Sequence, residues 1–292
     1  MNKNFLDIFK KLKKYKQSEA PEVPEKRTSL ADAKQKIGWI SPNYTQCRTV
    51  HLNPGFLEQN RCVALFSDMP EVDSYKILRQ QILQRTWERG ENTIMVTSAL
   101  PGEGKTLTAI NLAFAFAQKF QHTALLVDCD LKIQNIHKVL GFENNKGVVD
   151  YILGECDIPD LIVWPGIEKL TIVSGGKTID ESSEMLGSPR MKDLVKNIKE
   201  MYRERYIIFD VPPILAGADT LTFANLVDNI LIVVQADQTS MSDVKKALQM
   251  MPQEKILGLV LNRSSAENIT YYSQYSGKNP DGNPPEEKKM QE

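Results

Sequence analysis

Six short apolar runs, rich in β-branched residues, recur between stretches of helical periodicity along the second two-thirds of the chain. They are Ile94 to Ser98 (IMVTS), Ala124 to Asp128 (ALLVD), Leu170 to Ser174 (LTIVS), Tyr206 to Asp210 (YIIFD), Ile230 to Gln235 (ILIVVQ) and Ile256 to Asn262 (ILGLVLN). A strand that is apolar on both sides must be covered on both faces, and helices placed between successive strands supply that cover through parallel crossovers. The expected fold is therefore three-layer α/β, with a mostly parallel central sheet flanked by helices. At 292 residues and 41% hydrophobic content, the chain can bury such a core and is too apolar to be wholly disordered.

Charge and cysteine usage exclude several classes of function. The 36 Lys and Arg balance 37 Asp and Glu to a net charge of −1, so no broad basic field exists for nonspecific nucleic-acid binding. Cys47, Cys62, Cys129 and Cys156 have no C-x-x-C spacing and no paired histidines, which fits a reducing compartment. Cys129 reads as a small core residue, and His51, His122 and His137 as surface or capping residues. No run approaches the roughly 18 apolar residues that a membrane helix requires, and no apolar export signal opens the chain.

Composition divides the chain into four parts. Residues 1–17 carry Phe5, Ile8, Phe9 and Leu12 at helical spacing among six lysines, a short basic amphipathic helix. Two readings stand for it: contact with an anionic membrane or a partner, and a solvated terminal helix. Residues 18–70 read as a linker and irregular region. Residues 71–262 form the main domain, which opens with a helix over Glu71 to Arg89 striped by Val72, Tyr75, Leu78, Ile82 and Leu83. Residues 263–292 turn polar and end in PPEEKKMQE, a flexible tail.

The first run leads directly into Ala99-Leu-Pro-Gly-Glu-Gly-Lys-Thr106, and Leu107, Ile110, Phe114 and Ala117 then repeat as a buried helix face. Strand, glycine turn, Gly-Lys-Thr and helix is the context of a phosphate-binding P-loop. Gly102 and Gly104 let backbone N–H groups close around phosphate oxygens without a Cβ in the way, and the helix N-terminus adds partial positive charge. Lys105 would reach the β- and γ-phosphates and the Thr106 hydroxyl would ligate Mg²⁺. Ala99 stands where the P-loop pattern has its first glycine, which leaves the cradle intact.

Carboxylates end two further runs. Asp128 and Asp130, two apart, would point the same way at the carboxyl edge of a parallel sheet, where α/β proteins bind ligands. Asp210 closes the other, Tyr206 to Asp210, and Val211-Pro212-Pro213 cannot continue its ladder. Three acids at one sheet edge beside a P-loop form an arrangement for metal binding and phosphoryl transfer.

These residues resemble the bacterial tyrosine kinases (BY-kinases), cytoplasmic P-loop proteins of capsule and exopolysaccharide gene clusters. The resemblance lies in P-G-E-G-K-T at Pro101 to Thr106, L-L-V-D-C-D-L-K at Leu125 to Lys132, I-I-F-D-V-P-P at Ile207 to Pro213, and the group Tyr271, Tyr272 and Tyr275. It covers about Asp73 to Tyr275, and Leu107 to Asn111 with Leu140-Gly141 look most like the exosortase-associated branch. It implies a P-loop NTPase fold and an ATP-dependent tyrosine autokinase regulating polysaccharide polymerisation and export. Nucleotide would be bound by Pro101, Gly102, Glu103, Gly104, Lys105, Thr106 and Leu107, with Asn262 near the adenine. Mg²⁺ would be held by Thr106, Asp128 and Asp210, with Lys105, Asp128, Asp130 and Asp210 catalytic.

The resemblance further implies that Tyr271, Tyr272 and Tyr275 accept phosphate, although packing tyrosines are the alternative reading of that group. The family's E-x-x-R-x-x-R ring helix reads Asp73-x-x-Lys76-x-x-Arg79 here, which keeps charge sign but not side-chain shape. Ring or dimer assembly through these residues and a solvated charge face are equal readings. Lys132 stands where the family usually has Arg, and Ile133-Gln134-Asn135 lacks the proline usual there. A membrane activator of the chain-length-determinant type is the implied partner, with the protein cytoplasmic and peripheral to the inner membrane face. The alternatives are a MinD/ParA-like switch ATPase, which would carry a lysine where Leu100 stands, and a catalytically silent nucleotide-binding adaptor.

Overall fold

The computed structural model describes residues 47–66, 69, 71–119, 121–202 and 204–264. The expected helix at 1–17, the first part of the expected linker, Tyr271, Tyr272, Tyr275 and nearly all of the expected tail lie outside these residues.

In chain order the elements begin with β1 (Arg48–Thr49), α1 (Pro54–Gln59), α2 (Val72–Thr86), β2 (Thr93–Ser98), α3 (Lys105–Ala117) and β3 (Thr123–Asp128). Short helices α4 (Ile136–Leu140), α5 (Val148–Ile152) and α6 (Ile158–Leu161) lead to β4 (Ile162–Trp164) and β5 (Leu170–Val173). The chain continues through α7 (Ser182–Leu186), α8 (Pro189–Met201), β6 (Arg205–Asp210), α9 (Asp219–Ala224), β7 (Asn229–Gln235), α10 (Met241–Met250) and β8 (Ile256–Asn262).

Among the described residues, eight strands form one sheet in the order β1-β4-β5-β3-β6-β2-β7-β8. Every neighbouring pair is parallel except β4 with β5. The four inner strands β5, β3, β6 and β2 are buried along their whole length, as continuous apolar runs require.

Two apolar layers sandwich the sheet. On one side Ile82 and Leu83 of α2 and Ile110, Phe114 and Phe116 of α3 pack against Ile94, Val96, Leu126 and Ile208. On the other, Met191, Leu194, Val195 and Ile198 of α8 and Phe223 of α9 meet Met95, Val127, Ile207 and Phe209. The spacing in α8 gives one apolar stripe, and its start is fixed by Ser188, whose hydroxyl accepts from the Met191 N–H at 3.1 Å, with Pro189 in the first turn. Each fully buried aliphatic side chain contributes about 1.5–3 kcal/mol.

Residues before α2, read from sequence as irregular, add β1 and α1 and send Leu57, Cys62 and Ala64 into the core. They are fastened by Asn111 of α3, whose Oδ1 accepts from the Ala64 N–H at 2.9 Å and whose Nδ2 donates to Arg61 O at 3.0 Å. Cys129 is buried in the core as expected. His122 departs from expectation: it is buried, edge-on to Trp87 and Tyr206, and burial pushes its imidazole pKa down.

Candidate active site

β2 delivers the chain to a turn at its carboxyl end. Gly102 has φ +84° and Gly104 has φ +93°, left-handed values that favour glycine, and α3 starts at Lys105. A Cβ on Gly104 would lie 2.2 Å from Asn262 Nδ2. The close approach is itself a bond, since Asn262 Nδ2 donates to Glu103 O at 2.8 Å. The last residue of β8 therefore touches the turn. Pro101 and Gly102 are exposed, while Leu107 is half-buried and packs toward the α2–α3 core.

The neighbouring strands end beside this turn. Asp128 of β3 and Asp210 of β6 are register partners, both fully buried. Asp130, expected on the same strand face as Asp128, lies two residues past the end of β3, yet it too reaches the turn. Lys105 Nζ donates to Asp130 Oδ2 at 2.7 Å and to Asp210 Oδ1 at 3.4 Å, and Thr106 Oγ1 donates to Asp210 Oδ2 at 2.6 Å. Burial pulls the Lys105 pKa down, but Asp210 and Asp130 outweigh it and raise the ammonium above its ordinary value.

Asp128 is engaged differently. Its oxygens accept from the backbone N–H groups of Asp130 at 3.2 Å, Asn135 at 3.2 Å and Ile136 at 3.1 Å, so it shapes the loop leading into α4. Burial first, then the charge of Asp210, push its carboxyl up to about 8. Asp210 is also raised, by burial acting against Lys105 and the Thr106 hydrogen bond.

Several contacts were not legible as site features. Thr97 and Thr220 hydroxyls both donate to Pro212 O at 2.6 Å, fixing the loop after Asp210. Lys132 pairs with Asp219 at 3.3 Å, and Asp219 also accepts from Ser182 Oγ at 2.8 Å. Glu103, expected among the nucleotide contacts, commits its carboxylate to the Leu100 N–H within the turn and to Gln235 and Thr239 at and beyond the end of β7. Only the pairing of a charged residue with an acid could have flagged Lys132; the others depend on loops meeting in space.

Of the residues expected at an oligomer contact, Lys76 and Asp73 are exposed and pair with each other at 2.9 Å. Arg79 faces inward instead, donating to Ala115 O of α3 at 2.6 Å.

A glycine turn between a buried parallel strand and a helix, with Gly-Lys-Thr at the helix start and acids at the adjacent strand tips, defines a P-loop NTPase, which is a nucleotide-binding fold. A family model described as ParA, NUBPL iron-transfer P-loop NTPase, matches residues 89–276. The chain is 30% identical over 208 residues to tyrosine-protein kinase YwqD of Bacillus subtilis, covering 70% of this chain and 86% of that protein. Among solved structures, the kinase domain of Escherichia coli tyrosine kinase ETK is similar at TM-score 0.65 and 25% identity, covering 74% of this chain and 88% of that chain. The chimerical protein CapA2B2 is similar at TM-score 0.65 and 25% identity, covering 80% and 98%. Within the P-loop NTPases, this chain belongs to the bacterial tyrosine kinases.

Proposed function

We propose that the protein is an ATP-dependent tyrosine autokinase regulating capsule or exopolysaccharide polymerisation and export, with Tyr271, Tyr272 and Tyr275 as its acceptors. The observation that carries this reading is the ammonium of Lys105 lying against Asp130 and Asp210 at the mouth of a phosphate-shaped turn. A polyphosphate arriving in the turn competes for that lysine. As Lys105 moves to the β- and γ-phosphates, Asp130 loses its counterion and becomes a free carboxylate beside the reacting centre. It can then take the proton from an attacking tyrosine hydroxyl while the new O–P bond forms, the β–γ bridging bond breaks, and ADP leaves with the displaced oxygen.

Mg²⁺ fits the donor set. Among the described residues no cluster of three or more His, Cys, Asp or Glu forms an all-protein metal cage. Mg²⁺ is instead commonly held by one or two carboxylates together with substrate phosphates, and the Thr106 hydroxyl and Asp210 carboxylate, 2.6 Å apart, offer hard oxygen ligands beside the turn. Asp128, opposite Asp210 in the same rung of the β3–β6 ladder, is the second carboxylate. When bound, the ion would neutralise charge on the transferring phosphoryl group.

Among the described residues no helix is long and apolar enough to cross a membrane. A chain-length-determinant type partner would link the protein to a membrane-based export machine, and the basic amphipathic stretch at residues 1–17 would supply a means of docking at the inner membrane face. Asp73 and Lys76 offer an exposed contact for a ring or dimer.

The test is to incubate the purified chain with Mg-ATP and the partner's cytoplasmic segment, and to map phosphotyrosine by mass spectrometry. Label on Tyr271, Tyr272 or Tyr275 that vanishes in Lys105→Ala and Asp128→Ala is expected. ATP hydrolysis without label would make the protein a switch ATPase, and neither activity would make it an adaptor.

A further inference from the structure

Glu103 lies between the two left-handed glycines of the phosphate turn, where an inward carboxylate would oppose a polyphosphate. It is only 3% exposed, and both of its oxygens are taken by protein donors. One oxygen accepts from the Leu100 N–H at 2.6 Å, closing the turn on itself. The other accepts from the Gln235 N–H at 3.4 Å and from the Thr239 hydroxyl, at and just beyond the end of β7. Thr239 Oγ1 also accepts from the Gln235 N–H at 3.0 Å, so the three residues form one knot. Since Glu103 O accepts from Asn262, the turn is fastened to the tips of both β7 and β8.

Two effects of this side chain on an anionic ligand have opposite signs. Its negative charge repels phosphate across a short, poorly screened distance. Its hydrogen bonds hold the turn in one shape, so the turn loses less freedom when a ligand arrives.

We infer that Glu103 is a positioning residue for phosphoryl transfer: it fastens the phosphate turn to the end of β7 through Gln235 and Thr239, and this fixed shape outweighs the repulsion of its charge. The inference rests on the reading of the turn as the nucleotide site.

The test is calorimetric titration of the full chain with Mg-ADP, together with the Tm of each variant. Glu103→Ala is expected to bind at least tenfold more weakly, and Thr239→Val at least threefold more weakly, since it loosens the same knot without touching the turn or its charge. Glu103→Gln is expected within threefold of the wild type, because its amide keeps the length, one acceptor and a donor that the Thr239 oxygen can take. Binding by Glu103→Ala that equals or exceeds the wild type would mean that repulsion dominates and would overturn the inference. Glu103→Gln as weak as Glu103→Ala would overturn it too. Should Glu103→Ala not fold, unchanged affinity in Thr239→Val overturns it alone. Lys105→Ala separates the two readings: a wild type that does not bind takes both down, whereas binding lost in Lys105→Ala but intact in Glu103→Ala removes only the positioning role.

Discussion

Asp128 and Asp210 stand opposite each other in the last rung of the β3–β6 ladder, two acids side by side with no solvent access. Neighbouring buried carboxylates resist ionising together. Lys105 offsets part of that repulsion from the Asp210 side, while Asp128 relies on backbone N–H groups.

This pair makes nucleotide-free stability depend on pH. The folded Asp128 carboxyl holds its proton up to about 8, against 3.8 ordinarily, so between those values the native state binds a proton that the unfolded chain releases. Its contribution is present at the acid end and is lost as pH rises toward 8. Urea midpoints from pH 5.5 to 8 should fall less steeply in Asp128→Asn than in the wild type; an equal slope would refute the account.

Gly104→Ala should damage the phosphate turn twice over. The new Cβ would meet Asn262 Nδ2 at 2.2 Å and sit on a residue with φ +93°, where a left-handed conformation costs about 1–2 kcal/mol. Adding Asn262→Gly should relieve the collision but not the backbone strain. Nucleotide affinity should therefore recover partly in the double variant, and full recovery would show that strain is unimportant.

Phe209→Ala should destabilise by about 3–5 kcal/mol, the usual loss for a buried phenylalanine. Its ring is fully buried and lies edge-on to Phe223 at 5.0 Å, joining β6 to α9. Denaturant unfolding followed by fluorescence or circular dichroism reads this directly, and a change below about 1 kcal/mol would contradict the packing.

The α2 charges should separate in their effects. Arg79→Ala removes a part-buried bond to Ala115 O and should lower stability by about 0.5–1.5 kcal/mol or more. Joint replacement of Asp73 and Lys76 by Ala loses only an exposed i,i+3 pair, worth about 0.2–0.5 kcal/mol. If these two residues serve assembly, sedimentation analysis will show the oligomer lost with Tm nearly unchanged.

The inner strands and the phosphate turn were legible because their signals are local: runs such as Tyr206 to Asp210 are apolar throughout, and Gly-Glu-Gly-Lys-Thr joins strand to helix directly. β1 and β4 escaped notice because two- and three-residue strands have too little length to display a period. The packing of Leu57, Cys62 and Ala64 was hidden for another reason, as the Asn111 side chain that holds this segment lies far along the chain. Asp130 meets Lys105 of the turn from a loop rather than from the strand on which the two-residue spacing put it. The inward turn of Arg79 followed from the neighbouring α3, whose Ala115 carbonyl no pattern in α2 could reveal.

The bond from Asn262 to Glu103 has a mechanical meaning. Asn262 is the last rung of β8, its carbonyl held by the Ala236 N–H at 2.9 Å and its amide gripping the phosphate turn. The final strand and the phosphate turn therefore share one side-chain amide, and a replacement at the tip of β8 that removes it also frees the peptide between the two turn glycines.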